Sequence, residues 1–329
     1  MADKLLEVKH LSKFFKSPRG IVHAVDDVSF TIERGKTLGI VGESGCGKST
    51  TGRCVLRLID PTSGEVIFNG VDVNKVKSKE LKRLRQDMQI IFQDPYSSLN
   101  PRKTVKEIIA EPLVLHKIIP HATKQKIEDR VLELMAKVGL AERLLNNYPH
   151  ELDGGRRQRV GIARSLAMEP KFIVCDEPVS ALDVSIQAQI LNLLKKLQKD
   201  MGLTYIFITH DLSVVNHFSD DILVMYLGKV VEQAPAEELF ENPLHPYTKA
   251  LLSAILEPEV GGNKERIHLR GEVSSPIDPP DECRFAKRCN YFCPNCQKGT
   301  PPLIEVSPHH FVACHCILPG QSTLQGQNF

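Results

Sequence analysis

Gly42-Glu43-Ser44-Gly45-Cys46-Gly47-Lys48-Ser49 has the spacing G-x-x-x-x-G-K-[ST], and it follows the apolar run Thr37-Leu-Gly-Ile-Val41. This order predicts a strand, a glycine-rich turn and a helix that opens near Lys48 and continues through Thr50 toward Val55. Glycine lets the backbone curl until its N–H groups point inward at phosphate oxygens, and the helix N-terminus adds the positive end of its dipole. Gly42, Ser44, Gly45, Cys46, Gly47, Lys48, Ser49 and Thr50 are the expected cradle. Lys48 would reach the outer phosphates and Ser49 would hold Mg²⁺, so the stretch implies a bound nucleoside triphosphate. Cys46 reads as filler whose exposure would make nucleotide binding sensitive to oxidants.

The chain of 329 residues is long enough for one large domain or a domain with an appendage. With 42% hydrophobic and 25% charged residues, its composition is ordinary for a soluble globular protein. A formal net charge of +2 gives no bulk electrostatic reason to expect a nucleic-acid partner. The N-terminus, Met1-Ala-Asp-Lys-Leu-Leu-Glu-Val8, has no signal-peptide core, and no run of about 18 apolar residues occurs, so the cytoplasm is the expected compartment. Six of the nine cysteines (Cys283, Cys289, Cys293, Cys296, Cys314, Cys316) crowd into the last part of the chain. In a reducing compartment such crowding points to metal more than to disulfides.

Up to about residue 255, short β-rich runs alternate with helical patterns, which predicts an α/β domain with a largely parallel sheet. Expected strands are Leu5–Val8, Val22–Phe30, Thr37–Val41, Val66–Asn69, Met88–Phe92, Phe172–Cys175, Tyr205–Ile208 and Ile222–Tyr226. Between Asp94 and His150 helical patterns replace them, at Val105–His116, Lys124–Val138 and Glu142–Asn146, which reads as a helical insertion. From Pro258 proline, glycine, cysteine and polar residues dominate, and that tail needs a staple because it has little apolar material of its own.

Other strand ends add chemistry to the loop. Phe172-Ile-Val-Cys-Asp176-Glu177 is an apolar strand ending in two acids: Asp176 would support Mg²⁺ and Glu177 would polarise the attacking water as general base. Tyr205-Ile-Phe-Ile-Thr-His210 is another, whose His210 would contact the γ-phosphate. Gln93, after Gln89-Ile-Ile-Phe92, stands at the entrance to the helical insertion, where it would touch Mg²⁺ and sense movement of that insertion.

Together these residues resemble the ATP-binding cassette (ABC) ATPases over about residues 5–255. The resemblance makes Gly42–Ser49 the Walker A loop, Asp176 and Glu177 the Walker B acids, Gln93 the Q-loop glutamine, Ser180–Asp183 the D-loop and His210 the switch histidine. Phe15, in Leu11-Ser-Lys-Phe-Phe15, stands where the family places an aromatic ring against adenine. It implies a P-loop NTPase ABC ATPase domain over residues 1–257, with a helical subdomain inserted at about 94–165, and a small Cys-rich metal-binding extension over 258–329. The chain departs from the family at the signature, where Leu-Ser-Gly-Gly-Gln reads Leu152-Asp153-Gly154-Gly155-Arg156. In ABC dimers this segment faces the γ-phosphate of ATP bound to the other subunit, so Asp153 would set a carboxylate against phosphate, offset by Arg156 pairing with Asp153 or with the phosphate. The expected assembly is an asymmetric heterodimer with a second, different ABC ATPase, in which the site that uses Asp153, Gly154 and Gly155 turns over slowly. A working variant of the motif is the alternative.

Three stretches resemble the ATP-binding subunits of oligopeptide/dipeptide permeases: Phe92-Gln-Asp-Pro-Tyr-Ser-Ser-Leu-Asn-Pro101, Asn242-Pro-Leu-His-Pro-Tyr-Thr-Lys-Ala-Leu-Leu252, and the cysteine tail. In the second, Pro246 suits a first helical turn, with Tyr247, Leu251 and Leu252 returning onto the domain. The resemblance implies peripheral attachment to the cytoplasmic face of the cell membrane, two transmembrane permease subunits, an extracytoplasmic substrate-binding protein and no nucleic acid. Nickel chelates, glutathione and oligosaccharides remain alternative cargoes, and a soluble ABC ATPase of translation or DNA repair is the alternative of another class. The spacing Cys283-x5-Cys289-x6-Cys296-x17-Cys314 matches the one this branch carries, where it is associated with a [4Fe–4S] cluster. Cys293-Pro-Asn-Cys296 with Cys314-His315-Cys316 would instead suit zinc, and Cys293 with Cys296 alone would suit a redox pair.

Overall fold

The computed structural model describes residues 3–121, 123–255 and 266–317. Its strands in chain order are β1 (Lys4–Ser17), β2 (Gly20–Glu33), β3 (Thr37–Val41), β4 (Ser63–Phe68), β5 (Val71–Asp72), β6 (Met88–Ile91), β7 (Phe172–Asp176), β8 (Thr204–Ile208), β9 (Asp221–Tyr226), β10 (Lys229–Pro235), β11 (Ile304–Ser307) and β12 (His310–Val312). The helices are α1 (Lys48–Val55), α2 (Ser78–Asp87), α3 (Pro95–Ser98), α4 (Val105–Leu115), α5 (Lys124–Lys137), α6 (Gly154–Leu166), α7 (Val184–Met201), α8 (Leu212–Phe218), α9 (Ala236–Glu241) and α10 (Pro246–Ser253). Two compact units emerge, one from the described residues of 1–32, 37–74 and 207–329, the other from 33–36 and 75–206. Among the described residues no helix is long and apolar enough to cross a membrane.

The first unit contains two sheets. One is antiparallel in the order β2-β1-β4-β5, with Leu6 opposite Phe68 and Val8 opposite Val66. The other runs β11-β12-β10-β9-β3, with the last two residues of β8, Phe207 and Ile208, next to β3. Its strands β3 and β9 are parallel, Ile40 opposite Leu223, and every residue of β3 is buried. Burial on both faces is why β3 reads as an unbroken apolar run instead of an alternating one. Leu227 and Gly228 join β9 to β10, both at positive φ (44° and 82°), the two-residue turn whose twist suits a hairpin. The largely parallel sheet expected from the sequence is thus accompanied by an antiparallel one, and β10 and β12 also pair antiparallel.

In the second unit β6 and β7 run parallel from Met88 opposite Phe172 to Ile91 opposite Cys175. Two of the helices expected between Asp94 and His150 form, as α4 and α5, whereas the third, at Glu142–Asn146, is only a 3₁₀ turn over Glu142–Leu144. Thr104 caps α4 in a reciprocal box with Glu107, and the buried face Val105, Ile108, Ile109 and Leu113 belongs to a helix that packs on α5 and α6. Helix α2 escaped the sequence reading because its apolar period is carried by only Leu81 and Leu84 among charged residues, and none of its residues is buried.

The tail joins the first unit by strand pairing. Strand β12 lies antiparallel to β10, with Glu232 opposite Val312 and Gln233 opposite Phe311. Val312 and Ile317 pack with Leu244 in a small core of their own. Beneath them the fully buried Glu232 carboxylate accepts from the backbone N–H of Leu244 (2.7 Å) and His245 (3.1 Å), and contacts His310 Nε2 at 2.8 Å. Glu238 lies 3.4 Å from the other ring nitrogen of His310. Burial disfavours the His310 imidazolium, but Glu232 and then Glu238 outweigh it and raise its pKa above 6.5. His245, buried and far less compensated, is pushed down to about 4 and stays neutral at physiological pH.

The two histidines act in opposite directions on stability. A raised folded pKa makes the His310 contribution full below its ordinary 6.5 and lost as pH rises through the folded value; the depressed His245 contributes above 6.5 and loses its part as pH falls toward 4. Breaking a buried ion pair costs about 3 kcal/mol, so His310→Gln should lower the thermal midpoint strongly at pH 6 and progressively less toward pH 9. A deficit that is the same at both pH values would show that His310 is not charged in the fold.

Candidate functional site

The phosphate loop leaves buried β3 and enters α1 at Lys48. Gly42 and Gly47 adopt φ of 148° and 105°. A Cβ on Gly42 would lie 2.2 Å from the Met225 carbonyl oxygen, and one on Gly47 2.1 Å from that of Ala24, so backbone already occupies the space of any side chain. Lys48, itself buried, donates to the carbonyls of Gly42 (2.7 Å) and Glu43 (3.0 Å). That holds its ammonium over the hollow of the loop. Ser44 and Gly45 are exposed at the crest, and Ser49 and Thr50 are half-buried at the start of α1. Cys46 corrects the sequence expectation: it is buried, not exposed, and burial raises its thiol pKa despite nearby Lys48, so it is a poor target for oxidants. His210 is exposed just beyond β8, one residue after Thr209, whose N–H donates to the Ile40 carbonyl at 3.2 Å. Phe15 is exposed on β1 with the Lys13 ammonium over its ring, 4.9 Å from the centre, so stacking on adenine would use the opposite face or displace Lys13.

The second unit carries the acids. Asp176 ends β7 and is buried, and Glu177 follows at φ 47°, a positive value that turns the chain sharply at the strand end. Gln93 Nε2 donates to Glu177 Oε2 at 2.8 Å, which unites two residues that the sequence separates by 84 positions. In the signature, Asp153 caps α6: its Oδ1 accepts from Arg156 N at 2.7 Å and its Oδ2 lies 3.3 Å from Arg156 Nε. Gly154 and Gly155 follow in a crowded first turn, where a Cβ on Gly155 would meet Ile186 at 2.6 Å. A cavity of about 320 Å³ opens beside them, with Asp153 and Arg143, Arg156 and Arg159 in its wall.

All six tail cysteines draw near one another. Cys283 N donates to the Cys296 carbonyl at 2.9 Å, and Cys283, Cys289, Cys296 and Cys314 lie within electrostatic reach. The closest sulfurs are a different set: Cys293 Sγ is 3.6 Å from Cys296 Sγ and 2.9 Å from Cys316 Sγ. Burial pushes Cys283 up to about 11 and Cys289 up to about 12. Against its desolvation, hydrogen bonds with Cys316 and Cys296 bring Cys293 below its ordinary value. Cys289 and Cys296 are buried and the other four half-buried, and Cys293, Cys296 and Cys316 together are thiol donors of the kind a thiophilic metal takes.

The sequence reading missed the outer support of the phosphate loop. Glu43 N donates to the Tyr247 hydroxyl at 2.9 Å, and the Glu43 carboxylate takes both arms of Arg288. The recognised stretch Leu244-His245-Pro246-Tyr247 contained the signal: His245 caps α10 through Tyr247 N (3.1 Å), Pro246 fills its first turn, and Tyr247 is thereby aimed at the loop.

A family model described as ABC transporter matches residues 25–180, and one described as Oligopeptide/dipeptide transporter, C-terminal region, matches residues 231–296. The oligopeptide transport ATP-binding protein OppF of Bacillus subtilis (strain 168) is 55% identical over 95% of this chain and 97% of its own length. That of Haemophilus influenzae is 50% identical over 96% and 98%. Among solved structures, the dimeric post-hydrolysis state of the ATP-binding cassette MJ0796 bound to ADP and Pi aligns with a TM-score of 0.65 at 34% identity, over 70% of this chain and 98% of that one. With a phosphate loop of this geometry and likeness along nearly its whole length, the chain belongs to the ATP-hydrolysing ABC transporter family, in the branch that carries the oligopeptide/dipeptide transporter C-terminal region.

Proposed function

We propose that this chain powers import of oligopeptides or dipeptides from the cytoplasmic face of a cell membrane, as one of two different ATPase subunits under a pair of transmembrane permease subunits served by an extracytoplasmic binding protein. What carries the reading is that likeness to oligopeptide transport proteins extends through the tail as well as the cassette. Residues 1–257 would act as the ATPase domain, with a helical insertion at about 94–165, and 258–329 as its extension. Phe15 would stack on the base of ATP, and Lys48 would exchange its bonds to the loop carbonyls for phosphate oxygens. Ser49, Asp176 and Gln93 are the Mg²⁺ ligands of this reading. As water attacks the γ-phosphorus and the bond to ADP breaks, Glu177 accepts the proton and His210 holds the water. Gln93 adds the link to transport: it hydrogen-bonds Glu177 and lies two residues before α3, so displacement of the inserted helices would alter the orientation of the base.

The heterodimer follows from Asp153. Its carboxylate would face the γ-phosphate of ATP held by the other subunit, with Arg156 and the arginine-lined cavity offsetting part of the repulsion. In the tail, Cys283, Cys289, Cys296 and Cys314 would hold a [4Fe–4S] cluster as a structural staple. A specific observation favours zinc as the second reading. Tetrahedral Zn–S bonds of about 2.3 Å place sulfurs about 3.8 Å apart, close to the 3.6 Å between Cys293 and Cys296, while Cys293 and Cys316, at 2.9 Å, would have to move apart.

Reconstituted in vesicles with its permease partners, the complex should hydrolyse ATP faster when peptide-loaded binding protein is added; a rate indifferent to peptide would overturn the peptide reading. Glu177→Gln should cut that rate about 100-fold or more while ATP still binds. Asp153→Ser should raise turnover at the site that it faces, severalfold at saturating ATP; unchanged turnover would mean that the Asp153–Arg156 pair is a working variant. Chain purified without oxygen should be brown, with iron and sulfide near about four each per chain. Stoichiometric zinc without colour would replace the cluster by the tetrahedral site.

A further inference from the structure

Every polar group of Glu43 is occupied, and each partner comes from a different part of the first unit. Its carbonyl accepts from Lys48 Nζ (3.0 Å), its N–H donates to the Tyr247 hydroxyl of α10 (2.9 Å), and its carboxylate receives Arg288 of the tail at 2.7 and 3.1 Å. Two parallel bonds between a guanidinium and a carboxylate fix direction as well as distance. The Arg288 guanidinium is nearly buried, with its carbon 5.8 Å from the ring centre of Tyr226, so solvent screens the pair weakly. The same tail segment takes a second hold. Arg284 donates to the Leu227 carbonyl and pairs with Asp26, while the N–H of the next turn residue, Gly228, donates to the Cys46 carbonyl of the phosphate loop at 2.9 Å. Phe285, between the two arginines, packs against Tyr226 and Tyr247 with ring centres 5.3 and 5.5 Å away.

We infer that Arg288 and Tyr247 are positioning residues for ATP binding, which act through Glu43 to fix the shape and the charge of the phosphate loop. The inference rests on the assignment of Gly42–Ser49 as that loop. Shape enters because the Glu43 backbone is clamped from outside by Tyr247 while Lys48 holds it from inside. Charge enters because Glu43 would otherwise present a carboxylate beside the hollow that receives a polyanion; Arg288 neutralises it. A tail that in sequence is an appendage is thereby part of the nucleotide site.

The test is ATP affinity of the full-length chain with Mg²⁺, read with a fluorescent ATP analogue, alongside hydrogen exchange of the loop amides and the thermal midpoint. Arg288→Gln should raise Kd about tenfold and speed exchange at residues 43–48. Arg288→Lys should restore only part of the loss, since an ammonium cannot grip both oxygens. Combining Glu43→Gln with Arg288→Gln removes the uncompensated charge and should return Kd to within about threefold of wild type. A purely structural role for Arg288 would leave the double variant as weak as the single one, and that result, or an unchanged Kd in Arg288→Gln, overturns the inference. Should Arg288→Gln not fold, Tyr247→Phe decides: it removes one hydroxyl, and a Kd equal to wild type overturns the proposal. Lys48→Ala is the separate control, since wild-type affinity there would instead discard the phosphate-loop assignment itself.

Discussion

The carbonyl oxygen of Ala24 occupies the place where a Gly47 side chain would begin, and the carbonyl of Met225 does the same for Gly42. The phosphate loop is therefore enclosed by the backbone of β2 and of the β9 end before any ligand is considered. With no room for a Cβ, the loop takes a left-handed path that only glycine follows without strain. The cost is held elsewhere, in buried β3 on one side and α1 on the other, which leave the loop little freedom at either end. The Lys48 ammonium is then held by the carbonyls of Gly42 and Glu43, so the loop presents a fixed cation to a polyanion.

The same economy governs the buried charges of the first unit. Glu232 is fully buried, yet two backbone N–H groups at the start of α10 and the His310 ring satisfy it, so it joins β10, α10 and β12 at one point. That junction orients α10, and α10 delivers Tyr247 to the phosphate loop. Cys283 and Cys289 bracket Arg284, Phe285 and Arg288, so whatever fixes those thiols also fixes the residues that grip the loop. Tail and site are thus linked through specific contacts and not merely through proximity in sequence.

Which parts were legible in the sequence follows from how each element is buried. Strands such as Thr37–Val41 and Phe172–Asp176 are covered on both faces, so their composition alone announces them, and helices α4 and α5 carry an apolar period with capping threonines. Strand β1 was read only as far as Val8, although it continues to Ser17, because pairing with its neighbours carries charged residues that propensity argues against. Strand β10 was missed altogether: its Glu232 looks like a surface residue until His310, 78 positions later, is brought against it. Residue identities gave the nucleotide loop, the acids and the signature departure. The Gln93–Glu177 contact and the Arg288–Glu43 clamp were invisible, since each joins segments whose approach only the fold decides.

Asp153 shows how folding and binding can want different things from one position. As an N-cap, aspartate is as good as the family's serine, and its charge gains further from the helix dipole. Its Oδ1 accepts the Arg156 N–H, the kind of donor that a signature helix would turn toward phosphate. The carboxylate thus satisfies internally part of the field that would otherwise attract an anion, and it adds a negative charge where that anion would approach. Arg156 lies 3.3 Å from Asp153 and is half-exposed, so its guanidinium is already engaged by one carboxylate before any phosphate approaches. In the proposed heterodimer, the cap that serves the start of α6 would weaken the same helix end as a phosphate receptor, while Lys48, Glu177 and His210, proposed to serve this chain's own nucleotide, are not part of it. In that proposed assembly, a single helix cap would be enough to make the two sites unequal.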